Sequence, residues 1–460
     1  METPIWDFVT AYAERDALRL HMPGHKGRGP LGVEERDITE IPGADVLYPA
    51  AGIIRRSEEN AAALFGTART LYSAEGSSLC IRAMLYLALL WGKDHGRPPL
   101  ILAGRNAHKT FFTAAALLDL DVAWLWPERP DAGALSCPVT AAGLERALLE
   151  LPEKPAAVYL TSPDYLGNTV DTAALAAVCR RQDVLLIVDN AHGAYLRFLP
   201  TSRHPMDLGT DLCCDSAHKT LPVITGGAYL HIARGAPAML CEQAESALSL
   251  FASTSPSYLI LQSMDLANRA LAGDYRERLA AFVRQTDAMK TRLTRQGWRL
   301  LGDEPLKLTV DAAARGYTGP ELAEHLRQQG IVREHAGPDG VVFLLTPEIG
   351  EEGLRLLEDA LTATTPRPPL NAEPPAPTRP ERACSIRQAL LSPQEPRAVA
   401  DSAGRILAMA AVGCPPAVPI VAAGERLGPA EIDRLLYYGV TRCLVTAEPF
   451  DKMQAFCREE

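Results

Sequence analysis

Four short stretches of the chain carry side chains that one piece of chemistry would want together. The first, DSAHKT, sets Lys219 between a histidine and a threonine, with an apolar run following. Such a lysine is either a solvated turn residue or an amine held inside a site. A buried lysine gives up its proton more readily and becomes a nucleophile for aldehydes. The second, VLLIVDNAHGAY, ends an apolar run on Asp189, with His192 three residues on. A carboxylate closing a buried strand is costly without a cation, unless it only caps the next turn. The third, AEGSSLCIRAML, places Gly76, Ser77 and Ser78 at the start of an apolar helix. Outward-facing amides and two hydroxyls at a helix start suit a phosphate, although serine is a common N-cap in its own right. The fourth, AGRNAHKT, leaves His108 just past a strand. An imidazole there either stacks on a planar ring or serves as an ordinary loop hydrogen-bonding group.

Together these residues match what pyridoxal 5′-phosphate (PLP) requires. The helix start takes the phosphate, and the aspartate keeps the pyridine nitrogen protonated so that the ring acts as an electron sink. The histidine stacks on the ring, and the lysine forms a Schiff base with the aldehyde. Lys219 lies 219 − 189 = 30 residues after Asp189, room for a further crossover within one domain.

The elements that must position these residues are also legible. Between about residues 66 and 235, short apolar runs alternate with amphipathic stretches. Strands are expected over 99–104, 156–162, 184–190 and 226–232, and helices over 77–92, 139–151 and 171–182. This alternation predicts an α/β domain with a mainly parallel sheet, whose ligands bind beyond the carboxyl ends of the strands. Helices are expected over 236–295, so the large domain is placed at 66–295. Residues 296–363 shift to a smaller α+β pattern, with LKLTV and VVFLLT as strands and GPELAEHLRQQG as a helix. Residues 364–382, with seven prolines, read as an extended linker. Residues 383–460 form a third, small unit.

Composition limits the function classes. Lys and Arg total 46 and Asp and Glu 56, a net charge of −10. This is not the footprint of a nucleic-acid binder, and it suits a soluble protein that attracts cationic substrates. The opening METPIWDFVTAYAERDALRL has charges throughout and does not read as a signal peptide. No apolar run is long enough for a membrane span. The ten cysteines are scattered, with no CxxC and no zinc spacing. They read as reduced thiols of a cytoplasmic protein, and no metal is expected.

The chain resembles the Orn/Lys/Arg decarboxylases, the bacterial basic-amino-acid decarboxylases of PLP fold type I. The resemblance rests on LHMPGHKGRG (20–29), DITEIPGADVLYPAAGIIRRSEENAAALFG (37–66), RNAHKT, VDNAHGAY, SAHKTLPVITGGAYLH, STSPSYLI (253–260) and PPAVPIVAAGE (415–425), in family order. It implies an aspartate-aminotransferase-like large domain, a small α+β domain and an additional small C-terminal α/β domain. Residues 1–65 would contribute to the active site. The chain is similar to the short form without an N-terminal wing domain, and a homodimer or higher homo-oligomer is implied, with STSPSYLI directed to the partner's cofactor.

The resemblance also assigns roles. Lys219 would carry the cofactor. Ser77, Ser78, Ser216 and His218 would contact its phosphate, with His218 or Lys219 handling the proton. His108 would stack on the ring, Asp189 would pair with its nitrogen, and His192 would lie near its hydroxyl. Glu425 would help bind the distal cation of the substrate, as a carboxylate suits an amine or guanidine. The implied reaction is α-decarboxylation of lysine, arginine or ornithine to a di- or polyamine and CO2. The chain departs from the family pattern at 77–80, at Asn190 where an acid is frequent, at Asp215 where glutamine is common, and at Ala417 in place of glycine. The other readings are an aminotransferase, with Arg333 as the candidate carboxylate-binding arginine, and a PLP-binding homologue without turnover.

Overall fold

The computed structural model describes residues 1–15, 17–128, 133–338, 340–370, 375–409 and 416–447. Cys414, Cys457, Pro415, residues 371–374 of the proline-rich stretch and the end of the 383–460 unit lie outside the described residues. The chain forms two compact units. The first comprises Met1–Gly96, Ala156–Ser162 and Thr172–Ala281, and the second Arg97–Pro155, Pro163–Asp171 and Phe282–Glu460.

Seven strands matter for the site: β1 (Arg69–Ser73), β2 (Leu100–Gly104), β3 (Asp121–Leu125), β4 (Ala157–Thr161), β5 (Leu185–Asp189), β6 (Leu212–Asp215) and β7 (Ala228–Ile232). In the first unit the order is β1-β7-β6-β5-β4. The β4–β5 and β5–β6 pairs are parallel, while β7 runs antiparallel to both β1 and β6. β4, β5 and β7 are buried along essentially their whole length, as strands covered on both faces must be, and their sequences are accordingly continuous apolar runs. The register sets Asp189 level with Thr161 on β4 and with Cys214 on β6, one residue before Asp215. The chain between β5 and β6 holds only short 3-10 turns, Ala194–Phe198 and Pro205–Asp207, where the spacing suggests a full helix. Its apolar content is spent on the core instead: Tyr195, Leu196 and Phe198 are all buried.

Helix Ser77–Asp94 is apolar around most of its circumference and buries Leu79, Ile81, Met84, Leu85 and Leu87. That pattern marks a core helix, and it fixes the direction in which its N-terminus points. Gly76 precedes it in a left-handed conformation (φ 70°), which a side chain would strain. The GG pair before β7 is used differently. Gly226 (φ 102°) lies so close to the 74–76 turn that an added Cβ would come 3.1 Å from the Ala74 carbonyl oxygen, and its own carbonyl accepts the Gly76 N–H at 2.7 Å.

Two helices near the N-terminus are capped by carboxylates. Asp45 accepts the backbone N–H of Gly52 and Ile54, capping helix Ile53–Phe65, and its own N–H donates to the Tyr258 hydroxyl. Asp265 accepts the N–H of Ile5 and Trp6, capping helix Pro4–Ala13. The expected helical stretch after 258 is two helices, Tyr258–Ala272 and Tyr275–Arg295, separated at Gly273.

Glu58 lies fully inside this unit. Tyr72 N–H donates to its Oε1 at 2.9 Å, and its Oε2 has no partner among the described residues. Burial pushes its pKa up to about 8. The folded state therefore favours the neutral acid, so this stabilisation is complete below the ordinary carboxyl range and is lost as pH rises through 8. Each pH unit in that window is worth about 1.4 kcal/mol. Glu58→Gln, neutral at every pH, is expected to melt close to wild type at pH 5 and above it at pH 8, in a thermal-unfolding series across that range.

In the second unit β2 and β3 pair in parallel around helix Lys109–Leu117. The segment after 296 forms a four-stranded antiparallel sheet containing the expected strands, now bounded as Lys307–Val310 and Gly340–Leu344. Helices Gly319–Arg327 and Gly350–Ala363 accompany it. Gln394–Ala398, Leu407–Met409 and Arg442–Thr446 make a three-stranded antiparallel sheet with Val399, Leu407, Leu427, Leu435 and Val445 in its core. Among the described residues no helix is long and apolar enough to cross a membrane.

Candidate active site

The ends of β5 and β6 and the start of helix Ser77–Asp94 bring together most of the residues that the sequence singles out, all within the first unit. Lys219 sits in the short helix Ala217–Thr220 directly after β6, and its Nζ is 3.2 Å from His192 Nε2. His192 is buried in the turn after Asp189, so a single turn supplies both the carboxylate and the neighbour of the lysine.

Asp189 is 2% exposed. Its Oδ2 accepts the Tyr159 hydroxyl at 3.1 Å, and its Oδ1 accepts the Ala191 N–H at 3.2 Å and the Cys214 thiol at 3.5 Å. Burial holds the Cys214 and Tyr159 pKa values well above their ordinary ones, so both remain protonated donors. Every one of these partners is neutral. Among the described residues no cation of the chain is paired with Asp189, and a buried carboxylate is costly without one.

The hydroxyls also converge. Ser216 Oγ donates to Ser77 Oγ at 2.8 Å, and Ser78 follows in the first turn of the same helix. A Cβ built on Gly76 would meet only the Ser78 nitrogen, at 4.0 Å, so the space over the helix start is open. Amides, hydroxyls and the positive end of an 18-residue helix thus converge, the usual composition of a phosphate cradle.

His218 lies in the same short helix as Lys219. Its Nδ1 and its backbone N–H both point to the Gly227 carbonyl oxygen, at 3.0 and 3.2 Å. Burial lowers its pKa, which favours the neutral ring. In that state Nδ1–H is taken and Nε2 carries a lone pair. Its Nε2 can then accept a proton.

His108 and Glu425 belong to the second unit. His108 is the N-cap of helix Lys109–Leu117, where its Nδ1 accepts the Thr110 N–H at 3.2 Å. Glu425 is buried, and its Oε2 is held by Arg105 Nη2 at 2.9 Å and by the Ala422 N–H at 2.6 Å. Arg105 also donates to the carbonyls of Pro419 and Ile420 and lies over the rings of Trp124 and Trp126. The cation beside Glu425 is therefore the chain's own. These bonds take up Oε2 of the carboxylate, which gives Glu425 a structural role in the second unit. Ala417, also in the second unit, is left-handed (φ 53°), the conformation that makes glycine the usual residue there. Arg333 is exposed.

Sequence reasoning missed Tyr159 and Cys214 as partners of Asp189, and Arg105 as partner of Glu425. Tyr159 had a signal, a lone phenol inside an apolar strand; Cys214 needed the β5–β6 register. Asp215 is another residue that the sequence does not explain. It is buried between His204 and His231, whose Nε2 atoms lie 2.9 and 3.1 Å from its Oδ2.

This assembly of a strand-end aspartate, a strand-following lysine and a serine-lined helix start on a largely parallel sheet defines an enzyme of PLP fold type I. The structure agrees with solved ones of that class. It matches the constitutive lysine decarboxylase of E. coli at a TM-score of 0.76 and 19% identity, over 97% of this chain and 82% of that one. The serine palmitoyltransferase of Sphingomonas wittichii matches at 0.51 and 16% identity, over 67% of this chain and 74% of that one. More particularly, residues 3–303 match the family model of the Orn/Lys/Arg decarboxylase major domain, and the chain belongs to that family of amino-acid decarboxylases. Over most of its length it is similar to the arginine decarboxylase of Bacillus subtilis (strain 168), with 27% identity over 456 residues covering 92% of this chain and 91% of that protein.

Proposed function

We propose that the protein catalyses PLP-dependent α-decarboxylation of a basic L-amino acid, releasing CO2 and the corresponding amine, with arginine the first substrate to assay. The single observation that carries the cofactor reading is Asp189: a buried carboxylate with only neutral partners, in the same turn as the histidine that meets Lys219. A protonated pyridine nitrogen is the cation it lacks. The residues present fit the whole group, with Ser77, Ser78 and Ser216 for the phosphate, Lys219 for the aldehyde and Asp189 for the ring nitrogen. When bound, PLP supplies an electron sink conjugated to the substrate's α-carbon.

The chain's own residues would supply the rest. Asp189 holds a proton on the ring nitrogen through its charge. Tyr159 and Cys214 hold that carboxylate in place. His192 accepts a hydrogen bond from Lys219 Nζ and so sets the direction of the amine. Lys219 Nζ, or His218 Nε2 after taking up a proton, returns a proton to the α-carbon once CO2 has left. His108 is the proposed ring-stacking group. Expected further properties are a homodimer or higher oligomer, a cytoplasmic location and a place in polyamine formation. The organisation into an N-terminal segment (1–65), a large domain (66–295), a small domain (296–363), a linker (364–382) and a C-terminal domain (383–460) is part of the same proposal.

Arginine comes first because the relative matched over nine tenths of both chains bears that name. The net charge of −10 favours any of the cationic candidates. Purified protein with PLP is assayed for amine formation from arginine, lysine and ornithine in parallel. A dominant kcat/KM for arginine supports the choice, and a dominant value for either of the others replaces it.

A further inference from the structure

The two departures from the family pattern at 190 and 215 fall on one hydrogen bond. Asn190 Nδ2 donates to Asp215 Oδ1 at 2.7 Å, with both side chains fully buried. Asn190 is the residue after Asp189, and Asp215 is the residue before Ser216. The bond therefore joins the turn that carries Asp189 and His192 to the turn that carries Ser216 and Lys219.

Both partners are fixed by what surrounds them. The other oxygen of Asp215 takes the Nε2 atoms of His204 and His231, at 2.9 and 3.1 Å, all three residues being 0% exposed. His204 Nδ1 accepts the Met206 N–H, so the proton of that ring is on Nε2 and points at Asp215. His231 Nδ1 is 2.8 Å from the Thr70 hydroxyl, which bonds in turn to Thr67. Burial alone would raise the Asp215 pKa; His204 and His231 outweigh it and hold the carboxyl below its usual range. The Phe65 ring closes over the pair, 5.5 Å from His204 and 4.5 Å from His231. Asn190 is held as firmly. Its backbone N–H donates to Cys214 and its carbonyl accepts from Gly193, where any Cβ would lie 2.0 Å from Asn190 Oδ1.

Asp215, His204 and His231 also form a group that would suit a metal ion by atom type, with ligand atoms within 4.8 Å of one another. The hydrogen bonds argue otherwise. A metal needs the bare Nε2 of each imidazole, whereas His204 carries its proton there, and Asp215 already has donors on both oxygens.

We infer that Asp215, clamped between His204 and His231, is a positioning residue: through Asn190 it sets the turn that aims Asp189 and His192 at the cofactor. The inference rests on the PLP reading above. It places a negative charge one strand away from Asp189 and keeps a neutral amide beside it.

The test compares wild type, Asn190→Asp and the double variant that combines Asn190→Asp with Asp215→Asn, so that amide and carboxylate exchange places. The readouts are PLP dissociation constant, melting temperature without cofactor, pH dependence of the bound cofactor's visible band, and metal content. Asn190→Asp sets two carboxylates in contact and is expected to weaken PLP binding about tenfold or more. In the double variant the amide now at position 215 donates to the carboxylate now at position 190, while its oxygen still accepts both imidazoles. PLP affinity should recover at least about threefold over Asn190→Asp, since the 190–215 hydrogen bond is restored, while the second oxygen at position 190 has no donor among the described residues. The band's transition should move to higher pH, because a second negative charge now adjoins Asp189; a merely structural contact would leave it unmoved. Wild-type affinity in Asn190→Asp, no recovery in the double variant, an unmoved transition, or stoichiometric metal in wild type each overturn the inference. Wild-type protein that takes up no PLP overturns the functional reading itself, and the inference with it.

Discussion

Lys219→Ala is expected to lose all measurable CO2 release, about a thousandfold or more below wild type, together with the cofactor's visible absorbance at about 420 nm. The size of the effect follows from position. Lys219 is the amine of the first unit that meets His192, and the short helix Ala217–Thr220 holds it at the end of β6. Its removal takes away the proposed covalent anchor and proton donor together, and no other lysine lies within that turn. The fold should survive, because the side chain lies outside the apolar core. A circular-dichroism melt close to wild type, with absorbance and activity both gone, is the expected pattern. Retained absorbance would move the anchor elsewhere.

Asp189→Asn should be the next most damaging change. The amide keeps the shape and can still accept from Tyr159 or Ala191, so packing changes little. The charge is lost, and with it the reason for the ring nitrogen to stay protonated. Removing one electrostatic partner of a developing charge costs about a hundred- to a thousandfold in kcat. The loss should fall on kcat with KM little altered, because the proposed partner of Asp189 is the cofactor and not the substrate. Steady-state kinetics with saturating PLP separate the two. An unchanged kcat would remove Asp189 from the account.

Much of this is readable without the fold. The strands carrying Asp189 and leading to His108 lie in runs whose apolar continuity marks them, whereas β1, which leads to the Gly76 turn, has no such run. Lys219, Asp189 and the serines each stand out by residue type and position relative to a strand end. The rest depends on neighbours that periodicity does not report. β6 is only four residues long and contains Asp215, so it offers no run to see. The partnership of Asp189 with Cys214 depends on a parallel register, and that of Asp215 with His204 and His231 on one turn and an antiparallel strand. The pairing of Glu425 is hidden for a related reason: the cation that meets its Oε2, Arg105, is 320 residues earlier in the chain.

The departure at 215 is thus part of a compensated set. A carboxylate there would be intolerable among Phe65, Tyr229 and the strands unless donors surrounded it, and His204, His231 and Asn190 supply them. The same reasoning explains why Asn190 is an amide, since two carboxylates at 2.7 Å could not both ionise.

The most direct test of the central claim is the fate of the α-carboxyl carbon. Purified protein loaded with PLP is given carboxyl-labelled L-arginine, L-lysine or L-ornithine, and released CO2 and the organic product are measured together. The account predicts labelled CO2 and the matching amine in equal amounts from at least one of the three, with none from Lys219→Ala. A keto acid formed without CO2, or cofactor bound with no turnover of any of the three, would contradict it.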